Sequence, residues 1–176
     1  MHKKQYGKMT VSAWLSAEME RSNPILMLTV GILLTIAGIL VRCWIGSPYR
    51  TILELGLAEI LPPVWLLTIV SMLWLFVLGC AAGFALGYRT GHREEKYRGF
   101  LFFLLFALVE LCRYPLLFGA NLVLLSTLAA VLSLCLSLVV TCAFYRVTKF
   151  SGMLFLLHDV WQIYLLVLSF AILFRG

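Results

Sequence analysis

Residues 61–79 read LPPVWLLTIVSMLWLFVLG, and the apolar run continues to Leu86. Nothing charged interrupts it. At 1.5 Å per residue, a helix over Pro62–Leu86 is long enough to cross the hydrocarbon core of a bilayer, which takes about 20 apolar residues. The run is too long for a strand, and in lipid only a closed barrel hides strand edges. Pro62 and Pro63 cannot lie inside a helix and set where this one starts. The stretch therefore predicts a spanning α-helix.

Four more runs of the same kind flank it: Pro24–Trp44, Gly99–Phe118, Asn121–Phe144 and Phe150–Phe174. Asn23 and Asn121 are expected N-caps, and Pro24 suits a first helical position. The whole chain agrees with the local reading. Of its 176 residues, 62% are hydrophobic and 12% charged, and the mean hydropathy is +1.00. A soluble fold of this size has nowhere to place so much apolar surface. The expected fold is an all-α membrane protein, a five-helix transmembrane bundle over residues 24–176. Residues 1–23 form a basic, amphipathic N-terminal segment. Within it, Val11, Trp14, Leu15 and Met19 share a helical face, which predicts a helix lying in the membrane interface. The N-terminus does not have the form of a cleaved signal peptide.

The formal net charge of +6 is not a nucleic-acid signature, because the basic residues sit between apolar runs. Lys3, Lys4, Lys8, Arg21, Arg89, Arg93, Lys96, Arg98, Arg146 and Lys149 fall on one side of a five-span topology. Arg42, Arg50, Arg113 and Arg175 fall on the other. This asymmetry predicts a cytoplasmic N-terminus and an outer C-terminus. The first outer segment, GSPYRTILELGLAEIL (46–61), is apolar enough to fold back over the bundle, with Glu54 and Glu59 solvated or snorkelling. The five cysteines, at 43, 80, 112, 135 and 142, contain no C-x-x-C pair and read as small buried hydrophobes. Gly79, Gly83 and Gly87 form a small-residue ridge that serves either packing within the bundle or pairing of protomers.

Two charges break the third run, LVELCRYPLLFG (108–119): Glu110 and Arg113. His158 and Asp159 break the fifth. A charge in mid-membrane costs at least about 2.5–3.5 kcal/mol, so these groups must face the interior and pair, Arg113 with Glu110 or with Asp159. They are a network locking the third span to the fifth, the polar end of a ligand cavity, or a proton relay. In the second case Arg113 would receive a carboxylate and His158 a polar head. His158 could also bind a metal centre, but a lone histidine is a poor predictor of one. No nucleophile–base pair or metalloprotease motif occurs, so hydrolytic catalysis has no support.

Pro62, Pro63, Trp65 and Gly79 resemble the second helix of the TspO/MBR family, the tryptophan-rich sensory or translocator proteins. PLLFG (115–119) is similar to the family's Pro-Leu-Phe-Phe-Gly at the end of the third helix. FYRVTKFSGMLFLLHDVW (144–161) is similar to the junction of its fourth and fifth, with Trp161 matching the last tryptophan. The likeness covers roughly residues 24–175. Glu110 and Arg113 stand where the family has Asn-x-x-Trp, and Leu157 and His158 where it has Pro-Tyr. GLAEI (56–60) lacks the Lys-Pro-x-Trp that usually precedes the double proline.

The resemblance implies a five-helix bundle, commonly a homodimer, with a hydrophobic pocket opening toward the first loop. Trp65, Phe118, Trp161 and Tyr164 would line it, and Glu110, Arg113, His158 and Asp159 would form its polar end. The implied ligand is a hydrophobic, aromatic small molecule, a porphyrin or haem, or a sterol. No resident cofactor or metal is expected. The function expected on this basis is that of a receptor or carrier in a bacterial cell membrane. The alternatives are a substrate-capturing subunit of a multi-component transporter, a light-dependent porphyrin-degrading enzyme, and a structural subunit without a ligand.

Overall fold

The computed structural model describes residues 11–45, 63–89 and 93–175. The expected fold over 46–61 and the helix start at Pro62 lie outside them. The described residues form six α-helices: α1 Val11–Glu20, α2 Pro24–Ile45, α3 Val64–Gly87, α4 Arg93–Tyr114, α5 Val123–Val147 and α6 Lys149–Arg175. Five of these, α2 to α6, are long and apolar enough to cross a membrane, and no strand occurs among the described residues. The protein is an all-α membrane bundle.

The helix boundaries follow local chemistry. Asn23 caps α2 as expected, its Oδ1 accepting from the Ile25 N–H at 3.1 Å, with Pro24 as the first helical residue. Asn121 does not cap α5. It takes a left-handed conformation, φ 54°, which Asn tolerates better than most residues, and α5 begins after Leu122 without a side-chain cap. The end of α4 is also distinctive. Pro115 has no N–H to donate back into the helix, and residues Pro115–Gly119 widen into one π turn. It closes through Ala120 N–H to the Pro115 carbonyl at 3.0 Å and Leu122 N–H to the Leu116 carbonyl at 2.9 Å.

The helices pack in the spatial order α2–α3–α6–α5–α4, with α2 and α4 meeting more lightly. The glycine ridge of α3 seats α2. A Cβ at Gly79 would lie 2.7 Å from Gly31 Cα, and one at Gly83 would lie 2.6 Å from the Leu26 carbonyl oxygen. The ridge thus serves packing within the bundle. The half of the bundle near Gly87, Gly99 and Thr148 is filled by aromatic rings. Phe84, Phe103, Phe106, Phe144 and Phe155 are almost fully buried, with Phe103 edge-on to Phe155 at 5.9 Å and Phe144 against Phe155 at 5.4 Å. The cysteines depart from the expected burial: only Cys80 is buried, while Cys43, Cys112, Cys135 and Cys142 lie on the outer surface as free thiols. A cysteine is small and apolar enough to face lipid tails as readily as a core.

Candidate functional site

Among the described residues, the opposite half of the bundle is less completely filled. A cavity of about 130 Å³ lies between α2, α3, α4, the π turn and α6. Its apolar wall includes Leu67, Trp74, Leu111, Leu117, Phe118, Trp161 and Leu165, and its polar wall Arg42, Glu110, Arg113 and His158. No residue of α5 lines it. The π turn matters here, because the residues it carries past Tyr114 include the lining side chains Leu117 and Phe118.

The polar wall is a connected network. Glu110 Oε2 accepts from Ser133 Oγ at 2.8 Å, from Gln162 Nε2 at 3.0 Å and from Arg113 Nη1 at 3.4 Å. Arg113 Nη1 also donates to Gln162 Oε1 at 3.2 Å. Gln162 Nε2 lies 2.9 Å from His158 Nε2. Arg113 and Glu110 therefore pair within one helix, three residues apart, and α5 and α6 complete the network from the side. Each partner is largely shielded, 15% and 16% exposed, so a favourable pair here depends on these added hydrogen bonds.

Asp159 is held elsewhere. It is buried and faces α5, where Ser137 Oγ donates to one carboxylate oxygen and Thr141 Oγ1 to the other at 2.8 Å. It does not pair with Arg113. Two further aromatic contacts shape the cavity. The Arg42 guanidinium lies 4.8 Å above the Tyr114 ring, in cation–π range, and the Trp74 ring meets the His158 ring edge-on at 5.1 Å.

Of the residues singled out in the sequence, Glu110, Arg113, Phe118, His158 and Trp161 line the cavity, and Trp65, Asp159 and Tyr164 do not. Trp65 is 64% exposed on the outside of α3. Tyr164 is on the outer face of α6, its ring 5.2 Å from that of Trp161. Sequence reasoning did not single out Arg42, Trp74, Tyr114 or Gln162. Gln162 carried a usable signal: it lies at i+4 from His158, on the same helical face. No group of three or more metal-ligating side chains occurs among the described residues.

The family model described as TspO/MBR family matches residues 27–175. No curated protein matches the chain, and neither does any solved structure.

Proposed function

Because the chain belongs to the TspO/MBR family, a family of membrane sensory and binding proteins, we propose that it is a receptor or carrier for a hydrophobic aromatic ligand. The ligand would sit in the cavity between α2, α3, α4 and α6. The observation that carries this reading is the less completely filled half of the bundle: Trp74, Phe118 and Trp161 on one wall, and Glu110, Arg113 and His158 on the other. A flat aromatic ligand gains area against such rings and a few placed polar groups orient it. Pockets for drug-sized ligands run to roughly 300–1,000 Å³, so a porphyrin would enter this cavity by one edge.

The orientation follows the basic residues, with the N-terminus cytoplasmic, and the membrane is a bacterial cell membrane. A homodimer, implied by the family, would form on a face other than the Gly79–Gly83–Gly87 ridge, since α2 occupies that ridge.

Titrating protoporphyrin IX into the detergent-solubilised full chain, with tryptophan fluorescence as readout, tests the reading. Saturable quenching is expected, weakened roughly tenfold in Trp161→Ala, the loss of about 1.4 kcal/mol. Absence of saturation in the wild-type chain would overturn the porphyrin version.

A further inference from the structure

The hydrogen-bond network fixes more than its own members. Gln162 Oε1 receives Arg113 and its Nε2 donates to Glu110, so the amide orientation is set by partners that can only donate or only accept. The second amide hydrogen then points to His158 Nε2. That ring nitrogen must accept, which leaves the imidazole neutral with its proton on Nδ1. His158 Nδ1 is buried and has no hydrogen-bond partner, and the same is true of Arg42 Nη1. Both residues line the same cavity. Buried donors without partners are rare, because a donor left unmade carries its full desolvation penalty. Here there are two, from different helices, and both are N–H groups.

The charges agree. Arg113 is engaged by Glu110 and Gln162, and its charge is offset by that of Glu110. Arg42 has no carboxylate partner within ion-pair distance among the described residues; it lies over the Tyr114 ring. Among the described residues, the cavity wall therefore carries one positive charge in excess.

We infer that this cavity is a binding site for a compact aromatic monoanion, such as an arenecarboxylate, with Arg42 as its anion anchor and His158 Nδ1 as a second donor. This rests on the ligand-binding reading above and narrows it. Arg113, the arginine that the sequence marks for a carboxylate, positions Glu110 and Gln162 instead. Trp74 and Trp161 supply the aromatic faces.

The test compares 1-naphthoate with its neutral amide, 1-naphthamide, by calorimetry on the detergent-solubilised full chain, with protoporphyrin IX alongside. The wild-type chain is expected to bind the naphthoate at least about tenfold more tightly than the amide. Arg42→Gln should remove that preference and keep amide binding, which also shows that the variant is folded. Arg42→Lys should retain part of the preference. Equal affinity for the two probes in the wild type, or a preference that survives Arg42→Gln, would overturn the proposal. Binding of protoporphyrin IX without either probe would overturn this inference alone. Binding of none of the three would overturn the receptor reading and this inference with it.

Discussion

Glu110 accepts three donors on one carboxylate oxygen, from three helices' worth of side chains: Arg113 on α4, Ser133 on α5 and Gln162 on α6. Removing that acceptor takes the counter-charge from a shielded guanidinium and a hydrogen-bond acceptor from Ser133 and Gln162. Glu110→Ala is therefore expected to destabilise the bundle by about 2 kcal/mol or more. Arg113→Ala should cost less when made on top of Glu110→Ala than when made alone. Thermal or denaturant unfolding of the double-mutant cycle in detergent reads this coupling. The sequence left Arg113 to pair with Glu110 or with Asp159, and the structure selects Glu110, three residues away on the same helix face. The supporting hydroxyls and amide were not legible in the sequence. Ser and Thr in membrane helices ordinarily turn back to their own backbone, as Thr29, Thr35 and Ser71 do here, and nothing in the sequence distinguishes Ser133, Ser137 and Thr141 as exceptions. Arg42 was legible only as a loop-end charge. Its place over Tyr114 depends on how α2 and α4 meet, which no local pattern encodes. The hydroxyls around Asp159 make a second residue-scale prediction. Thr141→Val removes one of two donors from a buried carboxylate at nearly constant volume, and should lower stability by about 1–3 kcal/mol. Asp159→Asn should be tolerated better than Thr141→Val, because a neutral amide needs less compensation in a lipid-enclosed site.

At the scale of the element, helix type and length followed from hydropathy alone, because a bilayer admits few alternatives. Boundaries shifted by up to six residues: α4 begins at Arg93 rather than Gly99, since REEKYR is a sound helix sequence whose hydration does not depend on the membrane. The π turn at Pro115–Gly119 was not legible. Proline marks a break in the α pattern but does not say whether the chain stops, kinks or widens. The glycine ridge on α3 gave its purpose only when α2 was seen against it. Gly83→Leu must push α2 off α3, because the new Cβ alone would stand 2.8 Å from Met27 Cα and backbone cannot yield there cheaply. A lowered thermal midpoint is expected, with the oligomeric mass in detergent unchanged. A change of mass without loss of stability would instead assign the ridge to contacts between copies.

Across the whole molecule, the bundle divides into a packed half and an open half, and the two should be separable by mutation. Phe155 sits at the centre of the packed half, fully buried and in ring contact with Phe103, Phe106 and Phe144. In a water-soluble core Phe→Ala costs about 3–5 kcal/mol. In a bilayer the apolar transfer contributes less, because lipid replaces protein at little cost, and lost van der Waals packing remains. Phe155→Ala is thus expected to destabilise by on the order of 2 kcal/mol, while leaving ligand affinity in the open half within about threefold of wild type. Ser71 lines the cavity and is only partly buried, and Ser71→Phe adds a ring where there is space rather than atoms. It should leave the unfolding midpoint unchanged or raised and reduce ligand affinity by tenfold or more, about 1.4 kcal/mol. If both substitutions instead lower stability and binding together, the cavity is part of one continuous core, and a structural role without a ligand becomes the better account. The opposite pattern, stability lost in one half and binding in the other, is what a bundle anchored at one end and open at the other requires.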